Sequence, residues 1–105
     1  MAIPSFTLAA SAMMTAPAPM RDAATFAPAA AARQALPGSG EVLVISNLGP
    51  SAAMISLGGD DVLVNPAGSV IAFVGVPLVL TVDSATYCAA LGTQDRAILH
   101  LAVGT

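Results

Sequence analysis

At 105 residues the chain has room for one small domain, and its solitary cysteine, Cys88, excludes an internal disulfide framework. Asp, Glu, Lys and Arg make up only 9% of it, where soluble domains carry about 25%, and Lys is absent. With a mean hydropathy of +0.83 and a net charge of -3, this composition excludes a basic nucleic-acid surface and implies apolar surface that needs covering.

In chain order, residues 1–40 come first, with fourteen Ala, five Pro and three charges, Arg21, Asp22 and Arg33. No helix or strand period is sustained there, and Pro4, Pro17, Pro19 and Pro28 each bias the preceding residue toward extended backbone. The expectation is an extended docking arm held from outside, with one short helix from Pro28 to Leu36, where Pro suits a first turn and Ala favours helix. Ile3, Phe6, Leu8, Met13, Met14, Met20 and Phe26 are its candidate partner-docking anchors, the methionines being adaptable to irregular grooves. Ser5-Phe6-Thr7-Leu8 alternates as a strand added to a neighbour's sheet edge would. Ile3 to Met14 with Ala10-Ser11-Ala12 imitates a secretory leader, but no Lys or Arg precedes it, so a cleaved signal is not expected.

Leu36-Pro37-Gly38-Ser39-Gly40 marks the predicted boundary of a second unit, residues 41–105. There, short β-branched and apolar runs alternate with turn residues, which predicts strands near Glu41 to Asn47, Ala52 to Leu57, Val62 to Val64, Ser69 to Val74, Leu78 to Val82, Thr86 to Leu91 and Arg96 to Val103. Between them lie Asn47-Leu48-Gly49-Pro50, Gly58-Gly59-Asp60, Asn65-Pro66-Ala67-Gly68, Gly75-Val76-Pro77, Asp83-Ser84 and Gly92-Thr93-Gln94-Asp95. None of these is long enough for a crossover helix, so the fold class is all-β, an antiparallel sandwich or barrel. The uncharged run from Val62 to Val82 is broken twice by these turns, which argues against a membrane-spanning helix.

Alternation sets Leu78, Leu80 and Val82 inward against Val79, Thr81 and Asp83, and makes Ala97, Leu99, Leu101 and Val103 a second inward row. The outward rows are apolar too: Val42 and Val44 oppose Leu43 and Ile45, and Ile98 lies between Arg96 and His100. Val42, Val44, Ile98 and His100 are therefore candidate oligomer-interface residues, because one face of such a strand needs a neighbour or the arm to cover it.

Candidate chemistry is sparse. His100 is the sole histidine, so a histidine-rich metal site is excluded, and Cys88, set in the apolar run Tyr87-Cys88-Ala89-Ala90, reads as a buried thiol. Sequence leaves open whether the two meet across paired strands. Asp60-Asp61, Asp83 and Asp95 sit in turns without calcium-loop spacing, and the glycines match no phosphate-binding loop. Phe6, Phe26, Phe73 and Tyr87 are the only aromatics, which excludes a stacking platform for single strands. No catalysis, cofactor or metal is expected.

The successions Val42-Leu43-Val44-Ile45-Ser46-Asn47-Leu48-Gly49 and Ala52-Ala53-Met54-Ile55-Ser56-Leu57-Gly58 resemble small β-rich virion proteins of tailed bacteriophages. Pro66-Ala67-Gly68-Ser69, Thr86-Tyr87-Cys88-Ala89-Ala90-Leu91 and the terminal strand ending in Gly104-Thr105 continue the resemblance, which covers residues 41–105. It implies a non-enzymatic capsid decoration or cement protein, present as a homo-oligomer with trimeric symmetry. Its arm would dock on the major capsid protein or another virion protein, with assembly in the host cytoplasm and no direct nucleic-acid or membrane partner. On that reading residues 2–40 are removable without unfolding the body. A neck, tail or fibre component is the alternative, and a small carbohydrate-binding β-sandwich a further one, weakened by the absence of Trp.

Overall fold

Alternating burial at a period of two runs through most strands of the protein, whose computed structural model describes residues 8–18, 32–64 and 69–104. In chain order these strands are β1 (Leu8–Ala16), β2 (Ala32–Ala35), β3 (Val42–Pro50), β4 (Ala53–Gly58), β5 (Val70–Ala72), β6 (Leu78–Thr81), β7 (Tyr87–Gly92) and β8 (Ala97–Gly104). No helix occurs among the described residues.

The strands form two four-stranded antiparallel sheets, sheet A in the order β1-β8-β3-β6 and sheet B in the order β2-β7-β4-β5. β1 pairs with β8, β2 with β7, β3 with β6 and β4 with β5, so the first four strands run against the last four as one long ribbon. The ribbon rolls up because β3 also pairs with β8 and β4 with β7. That connectivity is a jelly roll, a sandwich that leaves only four strand edges.

Between the sheets, Leu43, Ile45, Leu99, Leu101 and Val103 from sheet A pack against Ile55, Cys88 and Ala90 from sheet B, all essentially without solvent contact. The inward row from Ala97 to Val103 is as predicted, and so is the opposition of Leu43 and Ile45 to half-buried Val42 and Val44. Six of the seven predicted strands are present, with ends displaced by at most three residues. Val62 to Val64 is the exception. It is irregular backbone lying over the outer face of sheet B, where Val64 packs on Ala89 and Leu91, with Met54 and Val62 beside them. Val62 comes so close that a Cβ on Gly58 would stand 2.8 Å from its Cγ2.

The predicted arm is corrected wherever it is described. Leu8–Ala16 is β1, paired along β8, with Met14 and Ala16 in the core. The predicted helix at Pro28 to Leu36 is replaced, over its described part, by β2, because pairing along β7 outweighs an alanine preference worth only tenths of a kcal/mol per residue. The boundary at residue 40 therefore does not separate an arm from a body among the described residues. Residues 1–7 and 19–31 lie outside them.

Two details fix one end of the sandwich. β3 does not stop at Asn47 but continues through a bulge at Leu48, after which Gly49 has φ 89° and the Gly49–Pro50 peptide is cis. Gly92, whose N–H donates to the Pro17 carbonyl at 2.7 Å, leaves no room for a side chain, since a Cβ would fall 1.8 Å from the Asp95 carbonyl oxygen. There the buried Ser51 hydroxyl donates to that same carbonyl, stitching the β3–β4 turn to the β7–β8 turn.

Candidate interaction surface

The outer face of sheet A is built from alternate residues of β1, β8, β3 and β6, and none of these four strands contains Asp, Glu, Lys or Arg. Its rows follow from register: Thr15 beside Ile98, then Met13, His100 and Ser46, then Ser11, Ala102, Val44 and Val79, with Val42 beside Thr81. Met13 is 52% exposed and Val79 62%, while Val42, Val44, Ile98 and His100 are half-buried. The four residues read from sequence as interface candidates thus lie together on one face, with His100 the only titratable group on it among the described residues.

The apolar character continues off the sheet at one corner. Leu48 projects at the β3 bulge, Val74 bridges to Asn47, and Phe73, Val74 and Val76 are all exposed. Sequence reading missed this corner because Leu48 and Val76 lay in predicted turns, although a turn as apolar as Phe73-Val74-Gly75-Val76-Pro77 is itself a signal.

Sheet B differs. Its outward Ala89 and Leu91 are sealed by Val64 from the β4–β5 connection, so the chain covers that face itself. Nothing among the described residues does the same for sheet A. Among the described residues, every charge but Arg33 on β2 lies at an end of the sandwich. Glu41, Asp60, Asp61 and Asp83 are exposed at one, where Val82 N–H donates to the Glu41 carbonyl and Thr86 N–H to the Gly58 carbonyl, and Asp95 and Arg96 at the other.

Of the seven predicted arm anchors, Ile3, Phe6, Met20 and Phe26 lie outside the described residues. Leu8 opens β1 opposite Gly104, and Met13 projects from the outer face. Met14 is a correction: it is 4% exposed and belongs to the core, so it cannot dock on a partner without unfolding the edge of sheet A.

The two candidate reactive groups are not brought together. Cys88 lies on β7 in sheet B and points into the core, whereas His100 faces outward from β8 in sheet A, so no strand pairing joins them. Burial pushes the Cys88 thiol up to about 12, which removes the thiolate a nucleophile needs. The folded thiol thus keeps its proton when the unfolded chain's has ionised, and stability is fully present below pH 9 and falls as the pH rises from 9 toward 12. Alkaline urea titrations are expected to show this decline, about 1.4 kcal/mol per pH unit at its steepest, in the natural protein and not in Cys88→Ala.

Among the described residues no cluster of His, Cys, Asp and Glu is arranged to hold a metal, and no helix is long and apolar enough to cross a membrane. A shallow cleft opens between the edges of β5 and β6, lined by Ile55, Leu57, Val62, Leu63, Val70 and Leu80, with only the hydroxyls of Ser56 and Thr81 as polar side chains. Nothing in it supplies an acid, a base or a nucleophile of altered reactivity. No family model, curated protein or solved structure matches the chain.

Proposed function

We propose that the protein is a non-enzymatic structural component of a virion, a capsid decoration or cement protein assembled in copies, which attaches through the outer face of sheet A. The observation that carries this reading is the contrast between the two sheets. Sheet B is sealed by its own chain at Val64, while sheet A presents an uncharged face of Met13, Val42, Val44, Val79, Ile98 and His100 without cover among the described residues.

By strand spacing and rise, four strands of β8's length present about 500 Å² of projected face, the size of the largest apolar patches that monomers carry, and such patches are commonly functional. The jelly roll supports the reading as an architecture that viral capsid domains share with lectins and cupins. The sequence resemblance to phage virion proteins supports the choice of partner, namely the major capsid protein or a neighbouring virion protein.

The joint substitution Val44→Lys with Val79→Glu places two charges on the face at positions that are already partly or largely exposed, of opposite sign because the two residues are directly paired across β3 and β6. Its expected result is an unchanged melting transition together with loss of the protein from purified particles. Undiminished occupancy by this variant would refute attachment through sheet A. Copy number separates the two virion placements, since occupancy at every capsid position supports decoration and occupancy limited to a single ring supports a tail or neck component.

A further inference from the structure

The four edges left by the jelly roll are unequal. β5 is three residues long, β2 is four and carries Arg33, and β6 is four and follows directly on Pro77. Short length, charge and proline are the devices by which proteins keep sheet edges from pairing with other chains. β1 has none of these three: it runs for nine residues, Leu-Ala-Ala-Ser-Ala-Met-Met-Thr-Ala, without charge or proline, and its one irregularity is a register shift near its start, between Leu8 and Ala10. It is the outermost strand of sheet A, so one row of its N–H and C=O groups has no partner strand among the described residues.

From this we infer that β1 pairs antiparallel with β1 of a second copy of this chain about a twofold axis, joining two copies of sheet A into one eight-stranded sheet. The second copy is favoured by the strand's own self-complementarity. Antiparallel pairing about Ala12, the midpoint of the strand, sets its two halves against each other with only the irregularity between Leu8 and Ala10 out of step, whereas axes at Ser11 or Met13 leave residues unpaired at the ends. It sets Ala12 opposite Ala12, Ser11 opposite Met13 and Ala10 opposite Met14, so outward residues meet outward ones and core-facing residues meet core-facing ones. No like charges oppose across it, although each chain carries -3.

Pro17, just after β1, accepts a hydrogen bond from Gly92, and β2 begins opposite Ala90, so β1 ends and β2 begins at the same end of the sandwich. Pairing also makes the two outer faces continuous. Two faces of about 500 Å² exceed the roughly 800 Å² that one partner contributes to a stable interface, which a single face does not reach. The inference goes beyond the virion reading and stands or falls without it.

Sedimentation equilibrium on the natural chain is expected to show a reversible dimer. Ser11→Lys with Met13→Lys sets like charges directly opposite one another across the axis and raises the dimer dissociation constant about tenfold or more. Mixing that variant with Ser11→Glu, Met13→Glu restores the dimer, and Val79→Lys, on the far edge of the same face, leaves it unchanged. Ala12→Cys oxidises to a covalent dimer, while Thr15→Cys does not, because Thr15 and its symmetry mate stand roughly 20 Å apart along the strands. A natural chain that is monomeric at every concentration, with its β1 edge covered by its own residues, overturns the inference. So does a dimer broken by Val79→Lys but not by the lysines at 11 and 13, which is packing through the faces, or cross-linking at Thr15→Cys and not at Ala12→Cys.

Discussion

A chain lacking residues 2–36 is expected not to fold, whereas one lacking only residues 2–7 keeps a cooperative melt. The longer deletion removes both β1 and β2, and with them one whole edge of each sheet. β8 loses its pairing partners from Leu8 to Ala16, and β7 loses those from Ala32 to Ala35. The core loses Met14 and Ala16, together with Ala32 and Leu36 packed against it, and opens Leu99, Leu101, Cys88 and Ala90 to water. Burying a side chain the size of Met or Leu contributes about 1.5–3 kcal/mol, and a domain of this size holds a net stability of about 5–15 kcal/mol. Several such losses at once exhaust that margin. Circular dichroism and thermal unfolding of the two truncations decide the matter, and an undiminished transition in the chain beginning after residue 36 would refute the structural role given to β1 and β2. The consequence for particle binding is direct. Loss of binding on removing residues 2–40 reports loss of the fold, so attachment has to be tested by substitutions on the folded surface such as those at Val44 and Val79.

How far sequence led depended on how strongly each strand's two faces differ in bulk. From Val42 to Ile45 and from Ile98 to Val103 the inward residues are Leu, Ile and Val of full size, and alternation placed them correctly. In β1 the same period of two exists, Met14 and Ala16 inward against Met13 and Thr15 outward, but it is written largely in Ala and Met, whose hydropathies differ little between faces. The pattern thus reads as low-complexity chain. β2 is four residues of Ala-Arg-Gln-Ala whose only reason to extend is the free edge of β7, a non-local cause that no window of sequence contains. For the candidate surface, Val42, Val44, Ile98 and His100 were legible as outward residues of strands that are apolar on both sides. That Val64 would seal sheet B and not sheet A was not legible, because Val62 to Val64 looks like another strand and its docking on Ala89 and Leu91 exists only in the rolled-up ribbon.

Asn47 shows the same limit in a single side chain, and its replacement carries the second large expected effect. Sequence places it in a turn, where Asn is common. In the fold it is 3% exposed, and its amide Nδ2 donates to the carbonyl of Ser51 at 2.9 Å and to that of Ala72 at 2.8 Å, while Oδ1 accepts from the Gly49 N–H at 2.8 Å. Ala72 belongs to β5, so this one side chain ties the bulge of sheet A to the edge of sheet B, and the main-chain carbonyl of Asn47 adds a bond from the Gly75 N–H. Asn47→Ala leaves three buried groups unpaired at about 1–3 kcal/mol each, partly relieved by water, so a loss of about 3 kcal/mol is expected. For a domain of this size that lowers the melting temperature by roughly 12–24 °C. Asn47→Asp tests the directionality of the bonds. An ionised carboxylate turns acceptors toward two carbonyl oxygens, so at neutral pH it destabilises more than Ala does, whereas a protonated carboxyl restores one donor. Burial and the facing carbonyls raise the folded-state pKa of the new acid, so its protonated form gives stability that is present at low pH and lost as the pH rises through that value. Measured against the natural protein at each pH, Asn47→Asp is therefore expected to be closer to natural stability near pH 3 than at pH 7. A pH-independent deficit, or one no larger than Ala's at neutral pH, would mean that the site is filled by shape and not held by donated hydrogen bonds.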